Sequence, residues 1–337
     1  MLKKMKAIGC HLAEESPIQF EQSIPIAKGH DVLVEISAVS VNPIDTKIKA
    51  GITDRLNTPR ILGWDAMGTV IAAGDKTTLL NVSDKIFYAG DISRPGSYAQ
   101  YQLVDERLAA KAPVNIKPEQ SAAMPLTSIT AWEALFSRLK IIPGRDDGKT
   151  ILIIGGGGGV GSIAIQLAKV VANLHVIATA SRPETEQWCA KLGADEIINH
   201  HLDLIEQYRM LTIEKPDYIL CLADTDQHFS AMAEIIAPEG MICSLVNSKE
   251  KYDMNVLKNK SAGFVWEFMF TKPMFKTKNM VTHHNILTQI ASMIDEGKII
   301  STLQQTIGPI TPGNIITAHQ KLLTGKTIGK IALTALV

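Results

Sequence analysis

Apolar positions recur along this chain with two different periods, and the change of period divides it. From Met5 to about Ala112, short runs rich in β-branched residues (Lys6–His11, Val32–Val41, Gly68–Ala73, Lys85–Ala89 and Ser97–Val104) are separated by clusters of Pro, Gly, Asn and Asp. That is the pattern of an irregular β domain. The stretch Asn42–Gly51 interrupts the runs early and reads as a polar loop that could carry a site on a rigid scaffold. Pro118–Ala122 then opens a helix, Met124–Leu135 continues as a helical stripe, and a boundary is expected near Pro125.

The middle of the chain reads differently. Ile151–Ile154 is a β-branched run buried on both faces, five glycines follow, and Val160, Ile163, Ala164, Leu167, Ala168 and Val171 then recur at helical spacing. Gly156, Gly158 and Gly161 fall on G-x-G-x-x-G, with Gly159 and Val160 inside it, and a second strand, Leu174–Thr179, follows at the distance of a βαβ unit. Such spacing serves a tight turn, a backbone that approaches a pyrophosphate, and a helix start packed closely on its strand. A flexible glycine linker would not be flanked by apolar runs of two periods. Strand and helix then alternate through Glu184–Leu192, Glu196–Asn199, Leu202–Leu211, Tyr218–Leu222, Phe229–Ile236, Met241–Val246 and Gly263–Phe270, which gives six strand-like segments of a doubly wound parallel sheet. The tail carries an amphipathic helix, His284–Ile294, and a last helix near Ile315–Leu323; these do not extend the alternation and are expected to return to the first domain. The reading is an α/β chain with residues 1–125 as a β domain, 126–270 as a Rossmann domain and 271–337 as the return, with a ligand cleft on the border.

Composition narrows this little. Lys plus Arg and Asp plus Glu stand at 34 each, so no global field favours nucleic acid or an anionic membrane. Cys10, Cys189, Cys221 and Cys243 lack paired spacing and read as buried thiols of a reducing compartment. The first residues have charge but no apolar core of signal length, and no uncharged window reads as a membrane span outside the glycine helix, so a cytoplasmic protein is expected.

Val41-Asn-Pro-Ile-Asp-Thr-Lys47, Ile61-Leu-Gly-Trp-Asp-Ala66 with Gly68, Ala89–Ala99, Pro125–Trp132, Gly155–Gly161 and Gly329-Lys330 together resemble the medium-chain dehydrogenase/reductase superfamily, and within it the quinone oxidoreductase branch, whose members are often labelled zinc-type alcohol dehydrogenase-like. The resemblance covers nearly the whole chain and implies a GroES-like β domain beside the Rossmann domain. A catalytic zinc needs about three protein ligands with nitrogen, sulfur or carboxylate donors. Where the zinc alcohol dehydrogenases place them, this chain has Asn42, Trp64 and Thr127, and the four-cysteine lobe of those enzymes is missing, so no zinc is expected.

After the second strand of the βαβ unit, where an acidic residue would mark an NAD enzyme, stand Ser181 and Arg182. A hydroxyl and a guanidinium suit the 2′-phosphate of NADPH, the alternative being a solvated loop arginine. His200 and Lys330 match family positions that approach the same phosphate. Asn42 and Asp45 match polar positions near the nicotinamide, although Asn-Pro-x-Asp is also good turn chemistry, and Thr130 matches a helix residue facing that ring. Leu245 and Trp266 read equally as walls of the nicotinamide pocket or as core. The resemblance thus implies an NADPH-dependent, zinc-independent reductase of quinones or activated enones. The rivals are a reductase of simple aldehydes or ketones and a cofactor-binding protein without turnover, such as a structural or RNA-binding relative. A homodimer is left open by the apolar run Phe264–Phe270, which could offer a sheet edge.

Overall fold

In the computed structural model, which describes residues 3–337, the chain divides into one unit made of its two ends, up to Ile129 and from Phe270 to Val337, and a second made of its middle, Thr130–Met269. The first unit begins with β1 (Lys4–Cys10), β2 (Ile18–Ser23), β3 (Asp31–Ser40), β4 (Arg60–Ile61), β5 (Ala66–Ala73), β6 (Lys85–Tyr88), β7 (Tyr101–Asp105) and β8 (Ala109–Lys111). The second holds β9 (Thr150–Ile154), β10 (His175–Thr179), β11 (Glu196–Ile198), β12 (Tyr218–Cys221), β13 (Met241–Ser244) and β14 (Gly263–Trp266). β15 (Leu303–Pro309) and β16 (Lys330–Thr334) rejoin the first unit, where β16 pairs antiparallel with β3.

In the first unit a sheet runs β15-β16-β3-β5-β6-β8, with β7 also on β3, beside a smaller sheet β2-β1-β4. β3 organises it: its ten residues alternate enough to bury Val32, Val34, Ile36, Ala38 and Val39, and it hands its end directly to Val41 and Asn42. The segment Pro43–Ala50, expected as a loop, is a helix. Proline at its first position costs no hydrogen bond there, and Asp45 supplies the carboxylate that its amino end favours.

The second unit is an all-parallel sheet in the order β11-β10-β9-β12-β13-β14. β9 is central, with β10 on one side and β12 on the other, so the direction of winding reverses between β9 and β12, and ligands of such sheets bind outside the carboxyl ends of the strands at that reversal. Register brings Ile153 beside Ala178 and Ile154 beside Cys221, which sets the ends of β9, β10 and β12 side by side. The helix Gly159–Val170 packs there by burying Ile163, Ile165 and Leu167 completely, each contributing about 1.5–3 kcal/mol of apolar burial. β14 is an edge strand with Trp266 47% exposed, so Trp266 is not core. Among the described residues no helix is long and apolar enough to cross a membrane.

Candidate functional site

The glycine turn of the second unit is held from behind by β10. Gly155, at φ +92°, takes a backbone conformation that side chains resist; its N–H donates to Thr179 Oγ1 at 2.9 Å, and Gly156 N–H donates to the Thr179 carbonyl at 3.1 Å. A Cβ on Gly161 would stand 2.4 Å from the Gly155 oxygen, so the helix can approach the strand this closely only with glycine there. Gly158 differs: a Cβ there would meet only the Gly155 oxygen, at 3.7 Å. No protein atom crowds that backbone, and the helix that starts at Gly159 and Val160 has no side-chain cap. An uncapped, uncrowded helix start presents orphan N–H donors, the chemistry a pyrophosphate requires, so the residues fit a dinucleotide.

Ser181 and Arg182 follow β10 directly, and Arg182 caps the helix Pro183–Lys191 through its backbone N–H to Thr185 Oγ1 at 3.2 Å. Thr185 also lies against Gly157, where a Cβ would meet its methyl at 3.0 Å, so the cap and the glycine turn are packed together. His200 lies 3.1 Å by Nδ1 from Thr179 Oγ1. The Thr179 hydroxyl, which accepts from Gly155, thus ties the imidazole to the glycine turn, and burial together with His201 and His228 pulls that imidazole below its ordinary pKa. A neutral His200 therefore braces the turn. Leu245 follows β13, half-buried, with its N–H on the Cys221 carbonyl at 3.2 Å, and Thr130 is a buried residue of the helix Pro125–Trp132.

In the first unit Asn42 and Asp45 come together as expected, but Lys330 joins them. Asp45 Oδ2 accepts the Asn42 backbone N–H at 2.8 Å and the Tyr98 hydroxyl at 3.0 Å, so the turn-capping role is realised. Burial pushes the Asp45 carboxyl up to about 7, against the pull of those donors and Lys330. The Asn42 side chain turns inward, its Nδ2 donating to Asp65 Oδ2 at 2.8 Å. Lys330 Nζ donates to the Val41 carbonyl at 2.8 Å, to Asp65 Oδ2 at 3.0 Å and to Asn42 Oδ1. Leu126 N–H closes the cluster on Asp65 Oδ1 at 2.8 Å. Lys330, expected beside the cofactor phosphate, is thus only 3% exposed and commits its ammonium to three oxygens of its own unit. A buried ammonium beside a carboxylate is held where it is, since leaving would strand both charges.

The same positions test the zinc expectation. Trp64 is buried with its indole N–H on the Asp91 carbonyl at 3.1 Å, Thr127 donates to the Met124 carbonyl at 3.2 Å, and Asn42 has both ends of its amide engaged. A cation, Lys330, already neutralises Asp65, and among the described residues no cluster of His, Cys, Asp and Glu could hold a metal. This donor set does not fit zinc. The tandem His283 and His284 also serve packing: His283 is fully buried and His284 Nδ1 bonds the Ala109 carbonyl at 2.7 Å.

Sequence reasoning gave Asp65 no partner and missed Tyr98 and His319, whose Nε2 stands 3.1 Å from the Tyr98 hydroxyl. The signal for Asp65 and Lys330 was there: each is one charge inside an apolar run, Ile61–Met67 and Ile328–Leu333, and a charge in such a run needs a buried partner. Tyr98 and His319 had no comparable local mark.

Known proteins resemble the chain along nearly its full length. Residues 28–114 match the alcohol dehydrogenase GroES-like domain and residues 159–276 the zinc-binding dehydrogenase family. A zinc-type alcohol dehydrogenase-like protein of Staphylococcus aureus (strain MSSA476) is 44% identical over 93% of each chain. The quinone oxidoreductase of Homo sapiens is 28% identical over 92% of this chain and 91% of its own. A crystal structure of a putative zinc-dependent alcohol dehydrogenase protein from Rhizobium etli CFN 42 superposes with a TM-score of 0.94 at 38% identity over 100% of both chains.

Proposed function

The chain belongs to the medium-chain dehydrogenase/reductase superfamily and is an oxidoreductase, and on that premise we propose that it is an NADPH-dependent, zinc-independent reductase of quinones or activated enones. The observation that supports this reading most is the closed cluster of Lys330, Asp65 and Asn42 where a zinc site would need open donors. NADPH, when bound, supplies the hydride. The backbone from Gly156 to Gly161 takes the pyrophosphate, and Ser181 and Arg182 take the 2′-phosphate. Lys330 and Asp65 fix which end of the Asn42 amide is nitrogen, so the remaining Nδ2 hydrogen is the donor for a substrate oxygen. Asp45 holds the turn that carries Asn42. Thr130 and Leu245 bound the nicotinamide, and His200 supports the turn. The four free, buried cysteines suit a reducing cytoplasm, and the β14 edge suits a second copy of the chain.

The protein is expected to turn over NADPH and a quinone at full rate after exhaustive chelation. Metal analysis of the active enzyme is the check: stoichiometric zinc, with activity lost on chelation and restored by zinc alone, contradicts the reading. Cofactor choice has its own test. Arg182→Ala is expected to weaken NADPH by roughly ten- to a hundredfold, the loss of one charge-assisted contact, and NADH much less. Equal weakening of the two, measured by fluorescence titration, would mean that Arg182 does not read the phosphate.

A further inference from the structure

A cavity of about 330 Å³ opens in the first unit between β1, the helix Pro43–Ala50 and the helix Pro312–Leu323. Nothing in the reading of function uses it. Its wall is apolar, with Ile8, Pro17, Leu62, Ile315 and Ile316 inside and Leu323, 72% exposed, at the rim. Its size reaches the lower end of the range in which small-molecule sites fall, roughly 300–1,000 Å³.

The charge lining it has one sign. No Asp or Glu lines the cavity, whereas Lys49 does, from the last turn of its helix, and Lys49 makes no ion pair among the described residues. Its positive charge bears on both Cys10 and His319, two other lining residues. Burial first, and then Lys49, lower the His319 imidazole to about 4, so His319 is neutral at ordinary pH and Lys49 is the one cationic side chain among the lining residues. Tyr98 closes the inner end with its hydroxyl already bonded to Asp45 and His319. An apolar chamber with one unpaired ammonium and no acid complements a molecule of the opposite make-up.

We propose that this cavity binds a small amphiphilic carboxylate, its alkyl chain against Ile8, Leu62, Ile315 and Ile316 and its carboxylate on Lys49. The site is independent of the nucleotide and acceptor chemistry, and its failure leaves that chemistry untouched. Octanoate is the probe, titrated calorimetrically into the purified full chain, with and without saturating NADPH. Saturable one-to-one binding in the sub-millimolar range is expected in both conditions. Lys49→Gln, a half-buried position at a helix end, should weaken octanoate by roughly tenfold or more, the loss of a charge-assisted contact, while leaving NADPH affinity unchanged. Ile315→Trp, which fills the chamber, should abolish binding. Octanol, without the charge, should bind equally to the parent protein and to Lys49→Gln. Absence of saturable binding, equal octanoate affinity in Lys49→Gln, or displacement of octanoate by NADPH each overturns the proposal.

Discussion

Lys330→Met is expected to destabilise the first unit by about 3–5 kcal/mol, the usual cost of removing one partner from a buried ion pair. Methionine nearly matches the lysine in volume, so the loss comes from charge and not from a void. Asp65 is fully buried, and burial already pushes its carboxyl above the ordinary range against the pull of Lys330 and the hydrogen bonds from Asn42 and Leu126. Without Lys330 the carboxylate must either stay charged with two neutral donors or take up a proton. The Val41 carbonyl and Asn42 Oδ1 lose their donor at the same time. For a unit of this size the thermal midpoint should fall on the order of 10 °C. Adding Asp65→Asn removes the stranded charge and should restore a substantial part of the loss. Equal midpoints for Lys330→Met and the parent protein, followed by circular dichroism, would mean that the pair carries no such weight.

How much of this was legible in the sequence depended on how far apart the partners lie along the chain. The strand, glycine turn and helix were readable because Gly156, Gly158 and Gly161, the strand before them and the helix after them are contiguous, and Ser181 and Arg182 follow one strand later. Asn42 could be marked, but its setting could not: Lys330 reaches it across 288 positions, and β16, which carries Lys330, pairs with β3 only in the folded chain. Lys330 was accordingly assigned to the phosphate. The helix Pro43–Ala50 was taken for a loop because eight residues with Asp45, Thr46, Lys47 and Lys49 among them leave no apolar stripe to read. β2 escaped for a related reason, since none of its residues is fully buried and no alternation survives. The two-residue β4 and three-residue β8 are too short for any period to register.

Turnover with ortho- or para-quinones and conjugated enones is expected to exceed turnover with simple saturated aldehydes and ketones by several orders of magnitude. Hydride addition to a saturated carbonyl makes an alkoxide, which a metal or a strong proton donor must stabilise as it forms. The cluster around Asn42 offers an amide whose orientation is fixed, a lysine already bonded to three oxygens, and at Asp45 a fully buried carboxyl whose Oδ2 is taken by Asn42 and Tyr98. A quinone or enone spreads the arriving charge through its own π system, so orientation and one hydrogen bond from Asn42 suffice. Asn42→Ala should accordingly lower kcat far more than it weakens NADPH binding, because its loss is felt as charge develops on the substrate oxygen.

Whether the protein reduces, without metal, acceptors able to hold their own charge is decided by comparing four acceptors in a single assay. Metal-stripped protein is supplied with NADPH under anaerobic conditions, side by side with a quinone, a conjugated enone, a saturated aldehyde and a saturated ketone, and the products are identified. Hydroquinone or saturated ketone should form rapidly from the first two, with little or no alcohol from the others. Faster reduction of the saturated carbonyls by the same metal-free protein would contradict the account.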